Sequence, residues 1–363
     1  MLWAGGTPRL RGKKKVASMK MPYLIILSLF IIIIQNCGTN ENIFNPCNPS
    51  IACNNKILYS SDSDICIMNI DGKNKKNLTS DMDGYQYEPH ISLDSLKIVF
   101  THFVPDTISW KYKYTTYTMD IDGKNKENLA NTSLRPLHPR LSPDGNHIVF
   151  DATENVSDIF VIKSDGTNLQ NLTNDSAGNW FPQFLPDGSK IIFKSENDIF
   201  SINIDGTNAF NITNSSSSID HVDITSDGTK IVCLSARDGQ LNVYTIGIDG
   251  SNLKKLSNTI AVGNPHFSFD GFEIVYIGWS QTGYDIITMH QDGSNEKIIA
   301  STTRPINNDY WRPTAFFSPD GEYVVFTSFN DGNNEIYVID VDGNNLKNLT
   351  NDPDKEDMLE YVF

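Results

Sequence analysis

Cysteine is scarce in this chain, with five among 363 residues and no C-x-x-C pair. That excludes a disulfide-stapled scaffold and the common zinc knuckles. None of the seven histidines forms an H-x-x-x-H pair, so no zinc-binding helix is indicated. G-x-S-x-G, the nucleophile elbow of α/β-hydrolases, is absent. The longest apolar run, Leu24–Ile34, has only eleven residues, which is short for a bilayer-spanning helix. Basic residues are also few, 29 against 44 acidic ones, for a net charge of −15. Six of them (Arg9, Arg11, Lys13, Lys14, Lys15, Lys20) lie in the first 36 residues, which hold no acid. Without those six, 23 basic residues face 44 acidic ones, a balance of −21. Nucleic acid and anionic lipid surfaces select for basic patches, so neither is expected as a partner.

Residues 1–36 read as a targeting segment, a basic stretch followed by the apolar run. The run ends at Gln35-Asn36-Cys37-Gly38, which resembles a bacterial lipoprotein leader with Cys37 as the acylated residue. An ordinary signal peptide or an uncleaved anchor is the alternative, and Met19 or Met21 is a candidate start. Residues 37–55 are rich in Asn and Pro and read as a tether. Within it, Cys47 and Cys53 could close a small disulfide loop or stay as two thiols. Cys66 and Cys233 fall in apolar strands and are expected to be buried.

From Lys56 onward one unit repeats. Its clearest copy is His138–Asp175, expected to form strands at 139–142, 147–151, 158–163 and 168–173. Pro143-Asp144-Gly145 and Ser164-Asp165-Gly166 make the turns, since Gly reaches positive φ freely and Asp bonds its own backbone. The second strand recurs seven times, from KILYS at 56 to YVVFT at 323. The Asp-Gly turn before the fourth strand also recurs seven times, at Gly72, Gly123, Gly166, Gly206, Gly250, Gly293 and Gly343. Their intervals of 51, 43, 40, 44, 43 and 50 imply one four-stranded blade per repeat. The first strand with its turn occurs only six times, and the tail Glu360-Tyr361-Val362-Phe363 supplies the seventh. The expected fold is therefore an all-β seven-bladed propeller, closed by its C-terminal strand, with six blades and a partial unit as the alternative.

The SPDG…IVF…DIFVIKSDGTNLQNLT unit resembles the WD-like propeller repeat of the TolB family over residues 56–363. The same repeat builds the propellers of dipeptidyl-peptidase-like enzymes, which carry a hydrolase domain that this chain has no residues to build. The resemblance implies fold rather than function, because propellers host binding, scaffolding and catalysis alike. TolB carries an α/β domain before a six-bladed propeller, whereas here a short tether precedes seven units.

The Asp-Gly segments faintly echo a calcium loop, but the twelfth residue is Asn131 or Asn351 rather than Glu. Turn chemistry accounts for all seven copies, and no metal or other cofactor is indicated. In an up-down blade these turns share one face. The insertion 103–115 and the link 301–313 go to the other face, with every tryptophan of the mature chain: Trp110, Trp180, Trp279 and Trp311. Together with Tyr112, Tyr310 and Arg312 these are candidate interface anchors, with packing as the alternative, above all for Trp180 and Trp311. The innermost strands carry His90, Arg140, Gln183, Asp223 and His266 at one equivalent position. Buried unpaired charge is costly, so these side chains should meet a wet central channel. The expected function is a non-catalytic, monomeric binding module of the cell envelope, docking an unidentified envelope protein or glycan. It would be exported, periplasmic or at the cell surface, touching membrane only through its lipid. A hydrolase or lyase using His90, Arg140, Asp223 and His266 at the channel mouth is the rival, and a structural spacer is the third reading.

Overall fold

Each Asp-Gly turn is closed by its own aspartate, which is why the chain folds as successive hairpins. Asp165 Oδ1 accepts the Thr167 amide at 2.9 Å, and the equivalent bond recurs at Asp71, Asp122, Asp205, Asp249, Asp292 and Asp342. Gly166 has φ +80°, and a Cβ there would lie 2.9 Å from a backbone oxygen of Leu129 in the preceding blade. The computed structural model describes residues 55–363 apart from 93, 107–110, 130–133, 154, 216, 304–312 and 354–356. Trp110, Tyr310, Trp311, Arg312, Cys37, Cys47 and Cys53 lie outside the described residues.

The strands form seven four-stranded antiparallel sheets. In blades 2 to 7 the innermost strands are Tyr85–Ile91, Pro136–Leu141, Asn179–Phe184, Ile219–Ile224, Ala261–Phe267 and Ala315–Phe317. Blade 1 takes its innermost strand from the other end of the chain: Asp357–Val362 pairs with Lys56–Ser61, with Ile57 opposite Val362 and Ser61 opposite Asp357. Two backbone bonds between Lys56 and Phe363 complete that closure. The expected seven blades and their C-terminal clasp are both present.

Alternation places apolar residues on both faces of every blade, and the ring is what buries them. Seven hydrophobic clusters each span two neighbouring blades. Ile148, Phe150 and Ile162 of blade 3 pack on Val99 of blade 2, while Val149, Ile159 and Val161 pack on Ile191 and Phe193 of blade 4. Cys66 and Cys233 are buried in this core, and burial pushes the Cys233 thiol up to about 12.

Two expectations need correcting. The fourth strand is shorter than 168–173, only Gln170–Asn171, because side chains replace the ladder there. Asn171 Nδ2 and Thr173 Oγ1 both donate to Asp158, and Thr173 Oγ1 accepts the Ile159 amide at 3.1 Å. The same wiring joins Asp198, Asn211 and Thr213, and this is what the recurring N-L-T ending does. A very short outer strand also blunts the sheet edge. Thr213→Val should therefore destabilise the fold by about 1–3 kcal/mol, since it strands the Ile199 amide and removes one of the donors to Asp198, which keeps Asn211 and the Ser215 amide. The shift of the urea midpoint at constant slope checks this. The insertion 103–115, expected as an irregular segment of the loop face, is strand in its described residues 103–106 and 111–115. It lengthens a hairpin, Lys97–Asp106 with Lys111–Asp120, and the Tyr112-Lys113-Tyr114 alternation is the strand period that marks it.

Candidate functional site

The innermost strands are bent at one shared position. Glu88, His138, Phe181 and His221, in four consecutive blades, have φ of 54°, 51°, 55° and 50°. Each lies at a register shift between its strand and the next. Left-handed backbone in non-glycine residues costs about 1–3 kcal/mol each and tends to cluster at functional sites. Bulges of this kind also re-aim side chains.

Here they turn side chains to the mouth of the central channel. A cavity of about 290 Å³ on the loop side is lined by Glu88, His138, Phe181, Lys194, His221 and His266, among others. A second, of about 230 Å³ on the turn side, is lined by His90, Asp223 and Tyr361. Arg140 and Gln183 line both cavities, at the waist between them. All five polar residues expected at the channel therefore stand on its wall.

The strongest electrostatic feature is one that sequence reasoning missed. His138 Nδ1 lies 2.7 Å from Asp151 and its Nε2 lies 3.0 Å from Glu88, whose other oxygen accepts the His138 amide at 2.8 Å. Asp151 is only 1% exposed and also accepts the Phe181 amide. Burial alone would pull His138 down, but the hydrogen bonds and charges of Asp151 and Glu88 outweigh it and raise the imidazole to about 9. Burial pushes Asp151 up, against the pull of His138. Glu88 is held below its usual range, because His138 overcomes the cost of its burial. The result is an imidazolium clamped between two carboxylates, with the Phe181 ring 4.2 Å from it. Both ring nitrogens are engaged, so His138 is poorly placed to act as a base. Across the mouth, Lys194 pairs with Asp220. Asp223 accepts the Phe267 amide and sits 3.6 Å from His266.

The rim beyond the mouth is aromatic. Phe103 of the lengthened hairpin stacks on Tyr85, Tyr87 and Tyr114 at 4.9–5.2 Å, and the Arg135 guanidinium lies 4.6 Å over Tyr114. Tyr112, 50% exposed, meets Phe103 edge-on, and Trp279, 43% exposed, meets Tyr284 edge-on. Trp180 is more enclosed, with its ring folded over Gly178. The opposite face has a wider open groove of about 1250 Å³ over blades 5 and 6. Its Asp270 and Asp292 are occupied by their own turns.

Residues 51–315 match the model described as the TolB beta propeller domain. No curated protein matches the chain. Among solved structures it is similar to TolB from Acinetobacter baumannii, with TM-score 0.53 and 17% identity, covering 84% of this chain and 81% of that one. It is also similar to an oligogalacturonate lyase from Vibrio parahaemolyticus, with TM-score 0.63 and 15% identity over 77% and 83% of the two chains. A puromycin-hydrolyzing peptidase from Mycobacterium tuberculosis matches with TM-score 0.57 and 12% identity, over 76% of this chain and 50% of that one. At these identities the likeness is one of fold, and it spans proteins with and without catalytic chemistry.

Proposed function

The chain belongs to the TolB β-propeller domain family, and from that premise we propose that it is a non-catalytic binding module of the cell envelope, docking a protein or glycan on its loop-rich face. The observation that carries this is the asymmetry of the ring's two ends. One end is a set of tight turns whose aspartates are spent on their own backbone. The other gathers the lengthened hairpin and the exposed Tyr112, Phe181 and Trp279. Aromatic side chains anchor interfaces because they bury large area at little entropic cost. The leader supports export and a lipid anchor at Cys37, in the periplasm or at the surface.

The double variant Tyr112→Ala, Trp279→Ala should weaken capture of an envelope partner by at least tenfold, ~1.4 kcal/mol, while its melting temperature stays within a few degrees of wild type. Unchanged capture, or loss of binding only through unfolding, would count against the loop face. The second reading is a hydrolase or lyase at the mouth, which the charged cavity favours. Its residues would be His90, Arg140, Asp223 and His266, and turnover abolished by His266→Ala would establish it over the first.

A further inference from the structure

Arg140 stands at the waist of the channel, where the two cavities meet. Its guanidinium donates one hydrogen bond, at 3.1 Å, to the carbonyl of its own neighbour Pro139. Among the described residues no carboxylate oxygen lies within 4.0 Å of it. The acids whose charge it feels, Glu88, Glu360 and Asp151, are committed elsewhere, Asp151 to His138. Glu88 is bound by His138 through both of its oxygens. Glu360 accepts Ser60 Oγ at 2.7 Å, and burial pushes its carboxyl up to about 7, so at neutral pH it carries only part of a charge. A half-buried guanidinium with no carboxylate in contact and donors left free forms strong paired bonds to planar or tetrahedral oxyanions. His90 and His266 line the cavities on either side, and each holds one buried ring nitrogen, His90 Nδ1 and His266 Nε2, with no hydrogen-bond partner.

We propose that the channel waist is a small-oxyanion site, in which Arg140 binds a carboxylate or phosphate group forked across its guanidinium and His90 and His266 complete the contacts. Chambers of about 290 and 230 Å³ suit a small acid or an inorganic anion rather than a folded partner. The site is separate from the loop-face rim and does not depend on it.

Calorimetric titration of the mature domain with inorganic phosphate and with succinate tests this. One-to-one saturation by at least one of them is expected, with a dissociation constant of about 1 mM or below. Phosphate alone, or succinate alone, identifies which of the two chemistries the site takes. Arg140→Met should weaken that binding at least tenfold while the domain melts cooperatively. If Arg140→Met does not fold, Arg140→Lys keeps the charge and loses the fork, and should bind several-fold more weakly than wild type. No saturation by either anion below about 10 mM, or binding that a folded Arg140 variant leaves unchanged, overturns the proposal.

Discussion

A chain lacking residues 357–363 is expected to show no cooperative thermal unfolding. That segment holds the innermost strand of blade 1, although about 300 residues separate it from the strand it pairs with. Its loss removes Leu359 and Val362 from the core between blades 7 and 1. It also removes Tyr361 and Phe363 from the core between blades 1 and 2. Each fully buried apolar side chain is worth about 1.5–3 kcal/mol, so Leu359 and Val362, with the half-buried Tyr361 and Phe363 adding less each, approach the whole stability of a typical domain. The truncation also bares the edge of Lys56–Ser61, a template for misassembly. Circular dichroism on heating should therefore show a broad, featureless transition, and size-exclusion should show aggregates. A peptide of residues 354–363 added in excess should restore part of the cooperative melt, because it would bind only the folded ring. A truncated chain melting cooperatively within 2–3 °C of wild type, no more than ~2 kcal/mol for a domain this size, would contradict this role for the clasp.

The second large effect is expected at His138. Removing the imidazole in His138→Ala leaves Asp151 buried without its cation and takes from Glu88 one of its two His138 donors, the backbone amide remaining, and should cost about 3–5 kcal/mol. The loss should depend on pH in a specific sense. The folded imidazole is raised from 6.5 to about 9, so the native state binds the proton more tightly than the unfolded chain. His138 therefore contributes fully below pH 6.5, and that contribution disappears as pH rises through about 9. Integrated over that window, the linkage is worth about 3 kcal/mol. The gap in unfolding free energy between wild type and variant should be widest near pH 6.5 and narrow markedly by pH 9.5. Glu360, also raised, weakens both proteins alike as pH climbs through about 7 and so cancels in the difference. A gap independent of pH between 6.5 and 9.5 would mean that His138 is held neutral.

The ring itself is legible in the sequence because its determinants are local. Asp165-Gly166 makes its turn with atoms two residues apart, and seven such turns announce seven blades. The clasp is legible too, because a missing first strand at Lys56 is matched by a surplus one at Glu360. The details that escaped are those set by distant partners. Asn168–Thr173 has the composition of a strand, yet Asp158 draws Asn171 and Thr173 into side-chain bonds and cuts the ladder to two residues. The His138 clamp joins residues 50 and 13 positions away, and only the left-handed bulge brings them together. A signal for it does exist. Glu88, His138 and Phe181 each precede a proline in equivalent strands, and a large side chain fixed at that point of the innermost strand has only the channel mouth to face. The channel set shares one equivalent position in the innermost strands, and its members line one or both cavities, but the split at Arg140 and Gln183 was not legible, because depth along a pore has no sequence period.

The claim at the centre is that the two ends of the ring have different jobs, and cross-linking the captured partner measures this directly. An amine-reactive cross-linker with mass spectrometric readout samples both ends. Lys113 and Lys194 mark the loop side, and Lys73, Lys124 and Lys254 mark the turn side. Partner cross-links at Lys113 and Lys194, with the turn-side lysines left unlinked, are the predicted result. Cross-links concentrated at Lys73, Lys124 and Lys254 would contradict it and move the functional face to the Asp-Gly turns.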